Sequence, residues 1–374
     1  MINCNDLSKV FKKNDLTFFT GVPDSTFKDW MEFLADGNGL KNVIACNECE
    51  AAAISAGYHL VTGKIGVVYM QNSGLGKIVN PATSLLDKEV YSIPTIFMIG
   101  WRGEPNDLKG DEPQHKKMGR VMVPLLDVLE IPYGIMPDNI GDAEKLIFEM
   151  KNRAENNQSP VALVIKKKTF EEYVAQNKIE TNYEMSREDA IKIVVDNING
   201  NEAIVSTTGK TSRELFEYRV ARGEKPRDFY TVGSMGCSSA IALGIALHDD
   251  KPVYVFDGDG AVLMQMGTLG TIGAYKPGNL QHIIFDNGSH DSTGGQPTVS
   301  TYVNFEQIAL ACGYNSAQTI YTKQELKDSI KILKERMGPN LLIVKVNKGA
   351  RKNLGRPTTM PVENKEAFME FFKK

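Results

Sequence analysis

Cysteine is scarce in this chain: five thiols, at positions 4, 46, 49, 237 and 312, in 374 residues. An odd number so widely scattered excludes a disulfide framework and suits a reducing compartment. Long apolar runs are absent as well. The longest, IPTIFMIGW at 93–101, falls far short of the ~20 residues a membrane helix needs. The N-terminal MINCNDLSKVFKKNDL carries charges where a signal peptide needs an apolar core, so a cytoplasmic protein with no membrane contact is expected. Neither sign of charge is in excess. With 43 basic against 46 acidic residues the formal net charge is -3, which argues against nucleic acid as a partner of the whole chain. The five histidines are dispersed and mark no metal cluster. Short-period repeats and low-complexity segments are missing too.

What is present is ordinary globular composition, 42% hydrophobic and 24% charged, at a length that favours two domains. Short β-branched runs alternate with longer amphipathic segments, the pattern of parallel strands buried on both faces by crossover helices. The fold class expected is α/β, with two doubly wound parallel-sheet domains. Strands are predicted at 16–19, 42–46, 65–70, 93–100, 133–136 and 160–167, then at 202–207, 252–257, 281–286 and 341–346. The polar stretch 169–184 lacks an apolar period, and Ser186 followed by Asp189 opens a helix, so the domains predicted are 1–170 and 185–374 with no middle domain.

The strongest local signal is a strand running into Gly258-Asp259-Gly260 and Ala261, then a helix. Glycines there let backbone N–H groups approach an anion. A carboxylate between them would repel a bare phosphate, so Asp259 makes sense only with a cation between, and magnesium is the natural hard ion. The next strand ends at Asn287, with 26 residues between Gly260 and Asn287, a span that returns the chain to the same sheet edge. A lone GDG is a common turn. The spacing to Asn287 is far more specific.

With these motifs the chain resembles the thiamine diphosphate-dependent enzymes. The resemblance implies that Asp259 and Asn287 ligate Mg2+ through their side chains and Ser289 through its carbonyl. The family more often has paired asparagines where this chain has Asp286-Asn287. A glutamate facing N1′ of the cofactor's pyrimidine is also required, and Glu48 matches it, ahead of a small-residue helix reaching Gly57-Tyr58. Taken singly, a glutamate such as Glu48 is more commonly an acid on a surface helix, and its pairing with the second-half motif reverses that reading. In GSMG at 233–236, Gly233 would accept from the cofactor's amino group and Met235 would prop its bent conformation, although close strand–helix packing also explains such a turn. Thr208, Gly209 and Lys210 resemble the loop that contacts the diphosphate. Its GKT is not a Walker A loop, because Ile204 stands where a glycine is needed.

Cys46 and Cys49 lack a second pair for zinc and are read as small buried residues. His115, in the polar loop 101–120, is either solvated or an acid/base group near the substrate. By resemblance Asp24, Ser25, Asn72 and His115 face substrate or cofactor from the first domain. Each site would be shared between two chains of a homodimer or larger assembly.

With no room for a middle domain, and with TGVPDSTFKDWM at 20–31, MQNSGLGKIVNPATSL at 70–85, GDEPQHKKMGR at 110–120, DNGSHDSTGGQPT at 286–298 and GARKNLGRPTTMPVENKEAF at 349–368, the chain resembles the branch of the family that decarboxylates 3-phosphonopyruvate to phosphonoacetaldehyde and CO2 in phosphonate biosynthesis. A sulfopyruvate branch looks similar, and the partner expected is a small 2-oxo acid with a second anionic group. A cation clamped on the departing carboxylate would stabilise the ground state, so cations should hold the other group. Arg351 and Arg356, in an acid-free basic stretch, are the candidates for it; a solvated tail is the alternative. A dinucleotide-dependent oxidoreductase fits the sheet pattern but lacks GxGxxG after the first strand. Glu48, Asp259 and Asn287 argue against a non-catalytic partner protein.

Overall fold

The computed structural model describes residues 1–105, 111–177 and 180–373. Part of the expected 101–120 loop, at 106–110, and part of the expected boundary, at 178–179, lie outside the described residues. The chain divides into two compact units, Met1–Lys178 and Ile179–Lys374. Among the described residues no helix is long and apolar enough to cross a membrane.

The first unit carries six strands: β1 (Phe18–Gly21), β2 (Lys41–Ile44), β3 (Gly66–Gln71), β4 (Thr95–Gly100), β5 (Tyr133–Ile135) and β6 (Val161–Ile165). They form one sheet in the order β2-β1-β3-β4-β6-β5, and every pairing is parallel. Residues alternate across it: Val67, Tyr69, Ile96 and Met98 enter one core, with Phe11, Phe19 and Trp30. Val68, Met70, Phe97 and Ile99 enter the other, with Ala51, Ala52 and Leu126. A sheet buried on both faces has a near-continuous apolar sequence, which is why these runs were readable.

The second unit repeats the plan with β7 (Ala203–Ser206), β8 (Phe229–Tyr230), β9 (Val253–Gly258), β10 (Leu280–Asp286), β13 (Ser316–Ile320) and β14 (Asn340–Lys345). Their order is β13-β14-β10-β9-β7-β8, again all parallel. A small antiparallel hairpin, β11 (Ser289–His290) with β12 (Gln296–Pro297), folds out of the loop after β10. The doubly wound α/β class expected from the sequence is what the chain adopts.

Four features depart from expectation. Cys46 is only half-buried and Cys49 is exposed, where both were read as buried. The first strand begins at Phe18 and not at Leu16. The strands β8 and β13 and the hairpin have no counterpart among the predicted runs. β8 and each hairpin strand span two residues, and SAQTI of β13 is a half-exposed edge with no apolar run. Finally, His115 is not on a loop: it lies in the first turn of the helix Pro113–Val128 and is buried. Pro113 at the helix start, after a polar stretch, was the available signal.

Candidate active site

In a parallel sheet all strands end at one edge, and the chemistry-bearing residues of each unit lie just beyond that edge. In the first unit, β2 leads to Asn47, whose side chain caps the helix Glu48–Thr62 by accepting from Glu50 N. Glu48 is therefore fixed at the helix start, and it is only 5% exposed. Its Oε2 is buried without a hydrogen bond among the described residues; Lys77 Nζ stands 3.5 Å away. A buried carboxylate oxygen with one long ion pair and no hydrogen bond is under-satisfied, and a ring nitrogen that shares a proton with it would complete it. Gly74, after β3, lets the acid lie there: a β-carbon on it would be 2.6 Å from Glu48 Cγ and Oε1.

Three residues past the end of β1, Asp24 is fully buried; its Oδ1 accepts from Gln71 Nε2 at 2.7 Å and its Oδ2 accepts from Thr26 N at 3.2 Å. Asn72, also fully buried, donates through Nδ2 to Arg102 O at 2.8 Å and leaves Oδ1 without a partner among the described residues. Arg102 Nη1 donates to Ser25 Oγ at 2.8 Å. Its guanidinium also forks onto Asp111, with Nε to Oδ2 at 2.9 Å and Nη2 to Oδ1 at 2.6 Å. Burial alone would raise the Asp111 carboxyl, but Arg102 and the N–H groups of Glu112 and Gly103 hold it well below the usual carboxylate range. The structure thus brings Asp24, Ser25 and Asn72 together around Arg102, a residue the sequence reading missed. His115 is placed nearby in sequence by its N–H, which donates to Glu112 O at 2.9 Å.

In the second unit four loops converge at the strand ends. After β7, Gly209 takes the left-handed region (φ 95°), where a side chain is strained, and starts the helix Lys210–Ala221 without a side-chain cap. Thr208 Oγ1 accepts from Gly233 N at 3.1 Å, tying this loop to GSMG. Burial lowers the Lys210 ammonium below its ordinary value. Met235 is half-buried, and Gly236 presses on the next loop: a β-carbon there would be 2.9 Å from Ala261 O. Gly258 ends β9, and Asp259, 2% exposed, opens the helix Asp259–Met264, in which Gly260 and Ala261 follow. Thr298 donates to Asp259 Oδ2. Burial, and then the nearby Asp286, push the Asp259 carboxyl up to about 7.

Asp286 replaces the first asparagine of the family's pair, and its charge is answered. Lys345 stands opposite it in the β10–β14 register and its ammonium lies 2.5 Å from Oδ2. Asn287 Oδ1 accepts from Ser289 N at 3.0 Å, and Ser289 Oγ is buried without a partner among the described residues. These observations fit a bound cation and diphosphate. Asp259, Asn287 and the Ser289 carbonyl form an all-oxygen donor set, a second positive charge would relieve the buried Asp259, and uncapped backbone N–H groups start the adjoining helix.

Arg351 lies elsewhere in its chemistry from what the sequence suggested. Its Nε donates to Glu188 Oε2 at 3.1 Å and its Nη2 is paired with Glu217, so the basic stretch is braced by acids from two helices. Arg356 is exposed further along that segment.

Two α/β units with buried acids at their strand ends, one beside a cradle for an anion and a hard cation, define an enzyme that works through a bound cofactor. Sequence-family models agree: residues 5–119 match the N-terminal, and residues 207–344 the C-terminal, thiamine pyrophosphate-binding domain of the thiamine pyrophosphate enzymes. The chain is 33% identical to a phosphonopyruvate decarboxylase of Streptomyces viridochromogenes, covering 99% of this chain and 95% of that one. It is 34% identical to a phosphonopyruvate decarboxylase of Streptomyces hygroscopicus, covering 99% and 94%. A sulfopyruvate decarboxylase subunit beta of Methanococcus maripaludis is 35% identical over 51% of this chain and 100% of its own. The chain belongs to the thiamine pyrophosphate (diphosphate) enzymes and is one of their 2-oxo acid decarboxylases.

Proposed function

We propose that this chain decarboxylates 3-phosphonopyruvate to phosphonoacetaldehyde and CO2, with thiamine diphosphate and Mg2+. The observation that carries the reading is the likeness, over 99% of the chain, to relatives bearing that name. The cofactor, when bound, supplies an electron sink next to the departing CO2. Asp259, Asn287 and the Ser289 carbonyl hold the metal, while Thr208, Gly209, Lys210 and the backbone of Gly258, Gly260 and Ala261 receive the diphosphate. Gly233 accepts from the amino group and Met235 supports the ring. Glu48 shares a proton with pyrimidine N1′, the role its under-satisfied oxygen suits. Asp24, Ser25, Asn72 and His115 orient the substrate, and Arg356 is retained as a contact for the phosphonate. Because Glu188 and Glu217 occupy Arg351, its part is to brace the C-terminal segment.

The functional unit is at least a dimer, each site drawing on the first unit of one chain and the second unit of another. A sulfopyruvate decarboxylase is the second reading, supported by the beta-subunit relative that this chain spans completely. The test is CO2 and aldehyde release from both substrates, with thiamine diphosphate and Mg2+ added or withheld. Turnover of phosphonopyruvate that needs both additions is expected. A clear preference for sulfopyruvate installs the second reading, and turnover of neither overturns both.

A further inference from the structure

An asparagine is an awkward metal ligand because only one end of its amide can serve. A carboxylate presents oxygen whichever way it turns, whereas an amide rotated by half a turn presents an NH2 group to the ion. Two neighbours decide which end points where: Ser289 N donates to one lone pair of Oδ1 at 3.0 Å and leaves the other free for an ion, and Asp291 holds the opposite end. Asn287 Nδ2 donates to Asp291 Oδ2 at 2.8 Å, and an ionised carboxylate can only accept, so the NH2 end is committed there and Oδ1 is left as the other end.

Asp291 is itself held rigidly. Arg187 Nη1 donates to its Oδ2 at 2.9 Å, and Gly349 N lies 3.1 Å from each of its oxygens. Arg187 is 5% exposed, and its other edge forks onto Glu214, with Nε to Oε2 at 2.8 Å and Nη2 to Oε1 at 3.0 Å. Glu214 is 1% exposed and sits on the helix Lys210–Ala221, the helix that begins at the proposed diphosphate loop. A buried relay therefore runs Glu214, Arg187, Asp291, Asn287, across three segments distant in sequence. Buried ion pairs of this kind stabilise a fold little better than apolar packing would, so a specific geometric use is the better account of it.

We propose that Asp291, backed by Arg187 and Glu214, is a positioning residue that turns the Asn287 amide oxygen toward the divalent cation and couples the metal loop to the diphosphate helix. The inference rests on Asn287 being a metal ligand, as read above. Outer partners of metal ligands typically contribute 10–100-fold to metal affinity.

The probe is Mn2+ in place of Mg2+, titrated against the full chain with saturating thiamine diphosphate, free Mn2+ being read by electron paramagnetic resonance. Asp291→Leu should weaken Mn2+ binding by about 10–100-fold. Asp291→Asn, which keeps an oxygen for the amide to donate to, should retain most of the affinity. In an Asn287→Asp background, where orientation no longer matters, Asp291→Leu should cost nothing, an outcome a general structural role does not give. Wild-type Mn2+ affinity in Asp291→Leu overturns the proposal, as does an equal loss in both backgrounds. If Asp291→Leu does not fold by circular dichroism, Arg187→Lys decides, because a point-charge ammonium cannot hold Glu214 and Asp291 in the same fork. An affinity about 10-fold lower is then expected, and an unchanged one overturns the idea. Asn287→Leu separates the two levels. If it leaves Mn2+ affinity intact, the ligand reading falls and the inference with it; if it weakens binding while Asp291→Leu does not, only the positioning fails.

Discussion

At the scale of single residues, the first unit turns on how closely Gly74 approaches Glu48. A β-carbon at position 74 would lie 2.6 Å from Glu48 Cγ and Oε1, so the acid must shift to admit it. Gly74→Ala should therefore displace the carboxylate by a fraction of an ångström or more and cut turnover by about 100-fold, since misplacing a catalytic group by about 1 Å can cost that much. Glu48→Gln keeps the shape but not the shared proton, and should lower turnover by roughly 10²–10⁴. Both variants should still bind thiamine diphosphate. The direct check is exchange of the cofactor's C2 proton, followed by NMR in deuterated buffer. Exchange as fast as wild type in Glu48→Gln would remove Glu48 from its assigned role.

At the scale of elements, the strands were legible because burial on both faces leaves near-continuous apolar runs, and the crossover helices fill the intervals between them. Legibility failed where an element is held by something other than burial. The edge strand β13 has a polar sequence, the β11–β12 hairpin is shaped by the loop that carries Asn287 and Ser289, and the helix holding His115 follows a polar stretch. The site followed the same division. Glu48, Asp259 and Asn287, the proposed cofactor and metal residues, each follow a strand, and the sequence singles them out by local motif: Glu48 before a small-residue helix, Asp259 and Asn287 by their spacing. Arg102 with Ser25 and Asn72, Thr298 with Asp259, and the relay through Arg187 act across long sequence separations that no local pattern records. Arg351 shows the converse, a basic residue whose acidic partners, Glu188 and Glu217, lie more than a hundred positions away.

The Asp111–Arg102 fork also gives the segment after β4 a pH dependence. The Asp111 carboxyl is held below its ordinary value in the folded chain, so its stabilising contribution is complete above about pH 5 and is lost as the pH falls through and below about 4. Asp111→Asn should therefore unfold more easily than wild type at pH 7, and the gap between the two melting temperatures should close on acidification. A gap that stays constant from pH 7 to about pH 3 would show that the fork contributes nothing through charge.

At the scale of the whole molecule, the two units separate the two duties of the proposed chemistry. Glu48 belongs to the first and Asp259 to the second, so a site that needs both can be completed by two chains. Exposed apolar residues on each unit, among them Leu60 and Val61 at the end of the Glu48 helix and Tyr275 in the second unit, are surfaces that association could cover. The consequence is a complementation test with a definite yield. Glu48→Gln and Asp259→Ala are each expected to be inactive alone, the first for want of the N1′ partner and the second because it no longer retains metal and diphosphate. When the two are co-expressed as a dimer, about half of the molecules are hybrids, and in a symmetric dimer with shared sites each hybrid has one doubly defective site and one intact site. The mixture should then recover about a quarter of wild-type turnover. Cofactor stoichiometry gives an independent reading, because the intact site of each hybrid should bind thiamine diphosphate as tightly as wild type. If every site were built within one chain, each hybrid would hold one Glu48→Gln site and one Asp259→Ala site, and mixing would restore no turnover. A mixture that forms hybrids by mass spectrometry yet stays inactive therefore rejects the shared site while leaving the assignments of Glu48 and Asp259 in place.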